Sequence, residues 1–293
     1  MESTKVLRAN ELAQARKFTR SISLGHYENF PVGSVLIPKK LRQHFYNLYA
    51  YMRTADDFAD LPERSSQERL KLLANWRRQL NNLFEGKPAE DPIFMTLGET
   101  VAQFHLQIDP FERLLNAFEF DARGNVNFNA FSDLHWYTQR SAEPVGQLVL
   151  ALFGYRDSAR IELSNKICSA LQLINFIQDA EEDLHNGRCY FPKEDWPDGT
   201  SLADLENPEM FTIATGKMLV RILEMLTAGS RLPEMVNGRL KFELRCVLIE
   251  AKKMCRKIEE LGGNTLKIRP KLSRSEHLVS IFQAFLGASQ NLK

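Results

Sequence analysis

Residues 41–60 read LRQHFYNLYAYMRTADDFAD, and their apolar side chains repeat with the period of an α-helix. The apolar positions that share one helical face are Leu41, Phe45, Leu48, Tyr49 and Met52. Segments with the same period follow along most of the chain, separated by proline and glycine, and the period-two alternation of strands is almost absent. We therefore predict an all-α protein of about ten helices. Its short connections favour a single domain over residues 1–293, a single helical bundle.

The composition excludes several classes of protein. The 293 residues include 38 Lys and Arg against 37 Asp and Glu, a formal net charge of +1, which offers no basic field for nucleic acid. No apolar run approaches the ~20 residues that cross a bilayer, and residues 1–20 lack the apolar core of a signal peptide. The four cysteines are widely spaced without a C-x-x-C pair. We expect a cytoplasmic protein with no nucleic-acid partner.

Two aspartate pairs with four-residue spacing each lie near the end of an apolar helix. Asp56 and Asp60 close the first of these helices, where the negative end of the helix dipole disfavours carboxylates. Asp179 and Asp183 repeat the spacing near the end of a helical run predicted over residues 161–184. Because like charges at this spacing repel each other, a bound cation would remove an electrostatic cost at both places.

The second pair belongs to a polar stripe on an otherwise apolar helix, made of Gln172, Asn175, Asp179 and Asp183. One such pair alone is more often a solvated helix end than a metal site, but two pairs in one all-α chain reverse that preference. Carboxylates without His or Cys companions suit Mg²⁺, which keeps several waters and shares its coordination sphere with phosphates. The sequence therefore predicts Mg²⁺ at the aspartate pairs and a diphosphate as the substrate.

Competing chemistries have little support. A di-iron carboxylate bundle requires two E-x-x-H motifs, and the sequence contains one, at residues 182–185. The sequence also lacks the G-x-S-x-G, G-x-G-x-x-G and Walker A patterns of common hydrolases, dinucleotide-binding proteins and P-loop proteins.

Four motifs in order resemble the squalene and phytoene synthase family of isoprenoid enzymes. They are YAYMRTADDFAD (49–60), YTQRSAEPVG (137–146), LQLINFIQDAEED (171–183) and GRCYFP (187–192). The resemblance covers residues ~20 to 285, nearly the whole chain. It implies an all-α isoprenoid synthase fold, in which the two aspartate pairs face each other across a central cavity and hold Mg²⁺ on a diphosphate.

Two details narrow the resemblance within the family. Condensing members usually have V-A-G-x-V-G where this chain has Ser141-Ala-Glu143-Pro-Val-Gly146, a variant similar to the hydroxysqualene synthases of the bacterial hopanoid route. Members that join two prenyl diphosphates tend to carry Lys or Arg where residues 26–32 have Glu28. The resemblance thus implies that presqualene diphosphate and water react to give hydroxysqualene and diphosphate, without NADPH.

The resemblance also assigns roles to individual residues. It implies metal binding by Asp56, Asp60, Asn175, Asp179 and Asp183, of which the four aspartates are catalytic. It implies substrate binding by Arg53, Arg188, Gln172, Asn175, Tyr190, Tyr49 and His26. Tyr137 is expected to position the final water or relay its proton, with a plain buried tyrosine as the alternative. For Arg53 and Arg188 the alternative is an ion pair with a neighbouring aspartate, and for His26 it is a structural role.

A hydrophobic prenyl substrate favours access from a membrane. Apolar residues near the C-terminus, flanked by Lys271 and Arg274, form a face that would either close the bundle, the favoured interpretation, or contact lipid. They are Leu278, Val279, Ile281, Phe282, Phe285 and Leu286. The expected partners are presqualene diphosphate, a peripheral membrane surface and an upstream presqualene diphosphate synthase. The rival interpretations are a condensing family member, making presqualene diphosphate, squalene, dehydrosqualene or phytoene, and a non-catalytic helical assembly factor.

Overall fold

The computed structural model describes residues 2–25, 37–124 and 126–287. Within these ranges the regular secondary structure consists of α-helices and 3₁₀ turns without any strand, as predicted. The helices are α1 (Glu2–Gly25), α2 (Lys39–Asp60), α3 (Ser66–Phe84), α4 (Pro92–Phe104), α5 (Asp109–Arg123), α6 (Phe131–Ser141), α7 (Glu143–Leu152), α8 (Ser158–Gln178), α9 (Ala180–His185), α10 (Pro208–Gly229), α11 (Gly238–Glu260) and α12 (Arg274–Phe285). Three 3₁₀ turns lie at Lys193–Asp195, Ala203–Glu206 and Leu232–Met235.

The chain divides into two compact units. Unit 1 comprises Met1–Arg123 and Leu148–Tyr155, and unit 2 comprises Gly124–Gln147 and Arg156–Lys293. Each unit has its own helices and buried side chains and is described separately below. The expectation of a single domain stays a prediction.

Helix α2 is the centre of unit 1, where it packs against α1, α3, α4 and α5. Its buried Tyr51 ring lies 5.9 Å from the Trp76 ring and 5.3 Å from the Phe111 ring, and all three side chains are almost inaccessible to water. Aromatic side chains bury large apolar areas and prefer such offset and edge-on arrangements. This packing fixes α2, and with it the acidic segment at its C-terminal end.

Helix α8 has the same central role in unit 2, where it packs against α6, α10 and α11. Two glycines allow its neighbours to approach closely. A Cβ atom at Gly146 on α7 would overlap Ser164 Oγ and Cys168 Sγ, and one at Gly229 on α10 would overlap the Ile167 side chain. These contacts explain why the motif that spans residues 137–146 ends in a residue without a side chain.

The helical run predicted over residues 161–184 is interrupted at one residue. Helix α8 ends at Gln178, and Asp179, with φ −99° and ψ 9°, separates it from the short helix α9. The backbone hydrogen bonds continue across the break, since Asp179 N–H donates to Asn175 O and Asp183 N–H donates to Asp179 O, both at 2.9 Å. The acidic pair therefore straddles two helices, and the prediction of one uninterrupted helix was wrong.

Helix α12 presents its apolar side chains outward. A large part of each of these side chains, 45–77% of its surface, is exposed in Leu278, Val279, Ile281, Phe282, Phe285 and Leu286. The interpretation that this face closes the bundle is wrong for the residues described. None of the helices in the described ranges is both long enough and apolar enough to cross a membrane.

Candidate active site

The first acidic group, which we call the α2 acidic cluster, consists of Arg53, Asp56, Asp57 and Asp60. The helix carries all four residues in its last two turns, as predicted. Arg53 pairs with Asp57 Oδ1 at 2.7 Å and lies 3.5 Å from Asp56 Oδ2. The side chains of Asp56 and Asp57 are 43% and 48% exposed, so these carboxylates are largely solvated. The alternative interpretation of Arg53, an ion pair with its neighbours, describes the present arrangement.

The second group, the α8–α9 acidic cluster, consists of Asn175, Asp179, Asp183, Arg188 and Arg269. Arg188 Nε lies 3.2 Å from Asp183 Oδ1, and Arg269 forms a short ion pair with Asp179. Gly187, at φ +71°, turns the chain after α9 so that Arg188 N–H donates to Asp183 O at 2.8 Å. The left-handed conformation at Gly187 favours glycine, which accounts for the first residue of the GRCYFP motif.

Burial distinguishes Asp183 from the other predicted metal ligands. Its side chain is 13% exposed, and this burial raises the pKa of the Asp183 carboxyl from 3.8 to about 6. The cation of Arg188 opposes that rise, whereas the nearby Asp179 and Glu182 add to it. A carboxylate that is costly to ionise in a buried place gains most from a cation bound beside it.

An aromatic group in unit 2 brings together two of the predicted site residues. The Tyr190 ring stacks parallel on Phe176 with centroids 3.9 Å apart, and Tyr137 lies 5.7 Å from Tyr190 and 6.1 Å from Phe176. Phe128 completes the group at 5.8 Å from Tyr137. All four side chains are buried. The group is aromatic and buried, and ring faces are suited to stabilising a nearby cation.

Glu143, from the variant motif, is a buried carboxylate with polar partners. It is 5% exposed, and the Ser169 hydroxyl donates to Glu143 Oε1 at 3.0 Å. Ser169 Oγ also lies 3.1 Å from Thr138 Oγ1, and Thr138 in turn donates to the carbonyl of His135 at 3.1 Å. Buried carboxylates are costly without such partners, so unit 2 is built around an acid at this position.

The remaining predicted residues that the structure describes lie on α8 and α2. Gln172 and Asn175 are half-buried on α8, and Tyr49 is half-buried on α2, one turn before Arg53. His26, like the Glu28 segment, lies outside the described residues.

Two contributions were missed by sequence reasoning. Arg269 follows Asp179 by 90 residues, so no local pattern could connect them. Phe128 lies in the segment before α6, far in sequence from the motifs that supply Phe176 and Tyr190. Glu143 was noticed only as a departure from the usual motif, and its burial was not foreseen.

The donor chemistry of both acidic clusters suits Mg²⁺. In the described ranges no group of three or more His, Cys, Asp and Glu side chains is placed to hold a metal ion by itself. Mg²⁺ does not require such a cage, because it is usually bound through one or two carboxylates, several waters and the phosphates of a substrate. The aspartates of each cluster, with the Asn175 amide oxygen, meet that requirement.

Comparison with known proteins gives consistent relatives. A presqualene diphosphate synthase of Zymomonas mobilis is 34% identical over 174 residues, 59% of this chain and 59% of the relative. A phytoene synthase of Arthrospira platensis is 32% identical over 189 residues, 60% of each chain. The matched region thus spans about three fifths of the length of these curated relatives.

Solved structures match over more of the chain. A squalene synthase HpnC from Alicyclobacillus acidocaldarius is 33% identical, with a TM-score of 0.80 over 87% of this chain and 96% of that one. A dehydrosqualene synthase, at 21% identity and a TM-score of 0.83, shares the fold over 97% of this chain and 99% of that one. The predicted all-α isoprenoid synthase fold is confirmed. Since the family profile described as squalene/phytoene synthase matches residues 24–276, this chain belongs to the squalene/phytoene synthase family.

Proposed function

We propose that this protein converts presqualene diphosphate and water to hydroxysqualene and diphosphate, with Mg²⁺ and without NADPH. Membership of the family supports prenyl diphosphate chemistry in general. The observation that carries the finer proposal is the buried carboxylate of Glu143, which lies where condensing members usually have glycine. Glycine at this position would remove the carboxylate that accepts a hydrogen bond from the buried Ser169 hydroxyl.

Each acidic cluster would supply ligands for Mg²⁺ on a substrate diphosphate. We assign metal binding to Asp56 and Asp60 in the α2 acidic cluster and to Asn175, Asp179 and Asp183 in the α8–α9 acidic cluster. Bound Mg²⁺ would offset the negative charge of the diphosphate and make it a better leaving group.

Arg53 and Arg188 would turn part of their donor capacity toward phosphate oxygens. A guanidinium has five N–H donors in a planar fork, so it can keep a contact with an aspartate and still donate to a phosphate. The two arginines differ in their partners, since Arg188 pairs with the buried Asp183 and Arg53 pairs with the solvated Asp57.

The aromatic group would protect the reacting carbons. When the carbon–oxygen bond to diphosphate breaks, the bonding electrons leave with the diphosphate and a cyclopropylcarbinyl cation remains. The faces of Tyr137, Phe176 and Tyr190 would stabilise this cation while the cyclopropane ring opens. Water then forms the new carbon–oxygen bond and loses one proton. Tyr137 would position that water, and Glu143 is a candidate to receive the proton through Ser169.

The alternative is a head-to-head condensing synthase. The matched relatives, a presqualene diphosphate synthase and a phytoene synthase, favour this alternative. The presence of Glu143 instead of glycine argues against it. A non-catalytic assembly factor is less favoured, because such a protein would not need two intact aspartate pairs. An upstream condensing synthase would supply presqualene diphosphate as the substrate.

The deciding experiment offers each diphosphate separately to the purified protein. Presqualene diphosphate and Mg²⁺ without NADPH should give hydroxysqualene and an equal amount of diphosphate. Farnesyl diphosphate alone should give no product. Conversion of farnesyl diphosphate, or formation of squalene only when NADPH is added, would reject the proposal in favour of the condensing or reductive alternative.

A variant at Glu143 sharpens this test. Glu143→Gln keeps the size and a hydrogen-bond acceptor for Ser169 but removes the negative charge. We expect hydroxysqualene formation to fall by about 100-fold, the range of one general base, with near-native thermal stability. Unchanged turnover would show that the carboxylate has only a packing role.

A further inference from the structure

The solvent-exposed face of helix α12 is apolar, which is unusual for a helix on the surface of a protein. At 100° per residue, the buried Ser280 and Ala284 define one side of the helix. The exposed apolar side chains occupy the opposite side, an arc of about 160° from Ile281 through Phe282 to Val279. A helix on the surface of a protein usually has its apolar stripe on the buried side.

Contacts with α11 hold this orientation in place. Lys253 donates to Ser280 Oγ at 2.9 Å, Lys257 pairs with Glu276 at 3.0 Å, and His277 lies 2.8 Å from Glu250. The N-terminus of α12 is fixed by a capping box between Ser273 and Glu276. The helix cannot rotate to bury its apolar face without breaking these polar contacts.

Cations surround the N-terminal end of the exposed face. Lys271 and Arg274 are exposed, and neither forms an ion pair with any residue that the structure describes. At 100° per residue, Arg274 lies within the apolar arc, one helical turn before Leu278. A groove between α11 and α12 adds Lys253, Arg256 and Lys257 beside Val279, together with the acidic Glu260 and Glu276. Cations outnumber acids around this face.

We propose that this face of α12 docks on an anionic lipid bilayer, with Phe282 and Phe285 in the acyl boundary and Lys271 and Arg274 at the headgroups. An apolar helical face with adjacent Lys and Arg is the combination that binds membrane interfaces. A second copy of the chain would bring the same excess of cations, whereas anionic headgroups complement it. The proposal concerns α12 alone and does not depend on the reaction proposed above.

The test uses the full-length protein and vesicles of phosphatidylglycerol and phosphatidylcholine. We expect co-flotation with these vesicles and much weaker binding to pure phosphatidylcholine. The Phe282→Glu/Phe285→Glu variant should bind anionic vesicles at least about tenfold more weakly. The matched control is Ile213→Glu/Val220→Glu, which places the same two charges on exposed apolar sites of α10 and should bind normally.

Other outcomes would overturn the proposal. Absence of flotation with anionic vesicles, or an equal loss in the α10 control, would reject it. If the wild-type protein self-associates in sedimentation velocity without lipid and the α12 variant does not, the occupant is a second copy instead. Because the substituted residues are exposed, circular dichroism should show native helix content. As a second readout, Phe285→Trp fluorescence should shift to the blue on adding anionic vesicles, and an unchanged spectrum would contradict insertion.

Discussion

In the α2 acidic cluster the carboxylates are solvated and pair with Arg53 of the same helix. In the α8–α9 acidic cluster Asp183 is buried, and the aspartates pair with Arg188 and Arg269, which lie outside α8 and α9. The sequence spacing is the same in both clusters. The first cluster is assembled within one helix, by contacts three and four residues apart. The second is assembled by tertiary structure, since Arg269 and the loop with Arg188 must both be in place. Two aspartate pairs with the same sequence spacing can therefore differ in how far the fold buries their carboxylates and which arginines it places beside them.

The largest expected effect tests whether this difference matters for catalysis. Asp60→Asn and Asp179→Asn each replace one carboxylate ligand by a neutral amide. We expect each variant to lower kcat for presqualene diphosphate about 1000-fold or more, with unchanged helix content. Asp57→Asn is the control, because Asp57 pairs with Arg53 and has no assigned ligand role. A loss confined to Asp179→Asn would show that the α2 pair is only a solvated helix end.

Removing the arginines should separate the clusters by stability. Arg188→Ala leaves the buried Asp183 without its cation, which we expect to cost about 2–3 kcal/mol of unfolding free energy at neutral pH. Arg53→Ala breaks a solvated pair and should cost less than about 1 kcal/mol. Urea unfolding followed by circular dichroism measures both. Similar costs for the two variants would mean that burial of Asp183 has little energetic weight.

The pH dependence of stability should follow the raised pKa of Asp183. Because this pKa is about 6 in the folded protein, against 3.8 without the fold, the native state favours the protonated acid. The stabilising contribution is present at low pH and is lost as the pH rises through 6. Between about pH 5 and 7.5 the Mg²⁺-free wild type should lose about 1.5 kcal/mol relative to Asp183→Asn. Parallel stability curves for the two proteins would contradict the assignment.

A third carboxylate isolates the effect of burial from metal binding. Burial, with a further contribution from Glu250, raises the pKa of Glu243 on α11 to about 7, and Glu243 Oε2 has no hydrogen-bond partner in the described ranges. Its stabilising contribution is likewise lost as the pH rises through 7. Relative to the wild type, Glu243→Gln should gain about 2–3 kcal/mol of unfolding free energy between pH ~5 and pH ~8.

The measurement is thermal unfolding of the wild type, Glu243→Gln and Asp183→Asn between pH ~5 and pH ~8, with and without Mg²⁺. The difference between Glu243→Gln and wild type should not respond to Mg²⁺, whereas that for Asp183→Asn should. A Mg²⁺ response at Glu243 would show that the two carboxylates are not independent.

Local features of the fold could be predicted from the sequence, and long-range ones could not. Periodicity over residues 41–60 placed α2 close to its observed bounds, Lys39–Asp60. The break at Asp179 keeps helix-like hydrogen bonds on both sides, so periodicity alone does not reveal it. The pair between Arg269 and Asp179 depends on tertiary folding. The exposure of Phe285 depends on which face of α12 contacts α11, and hydrophobicity alone suggested the opposite face.

Gly146 has a consequence for how the family's sequences change over time. The absence of a side chain at this position allows α7 to lie against Ser164 and Cys168 of α8. A lineage that acquires alanine here should also acquire a smaller residue at 164 or 168, so the three positions should covary. The glycine of this motif would then be retained by selection for the distance between two helices, and its persistence would carry no information about which product the enzyme makes.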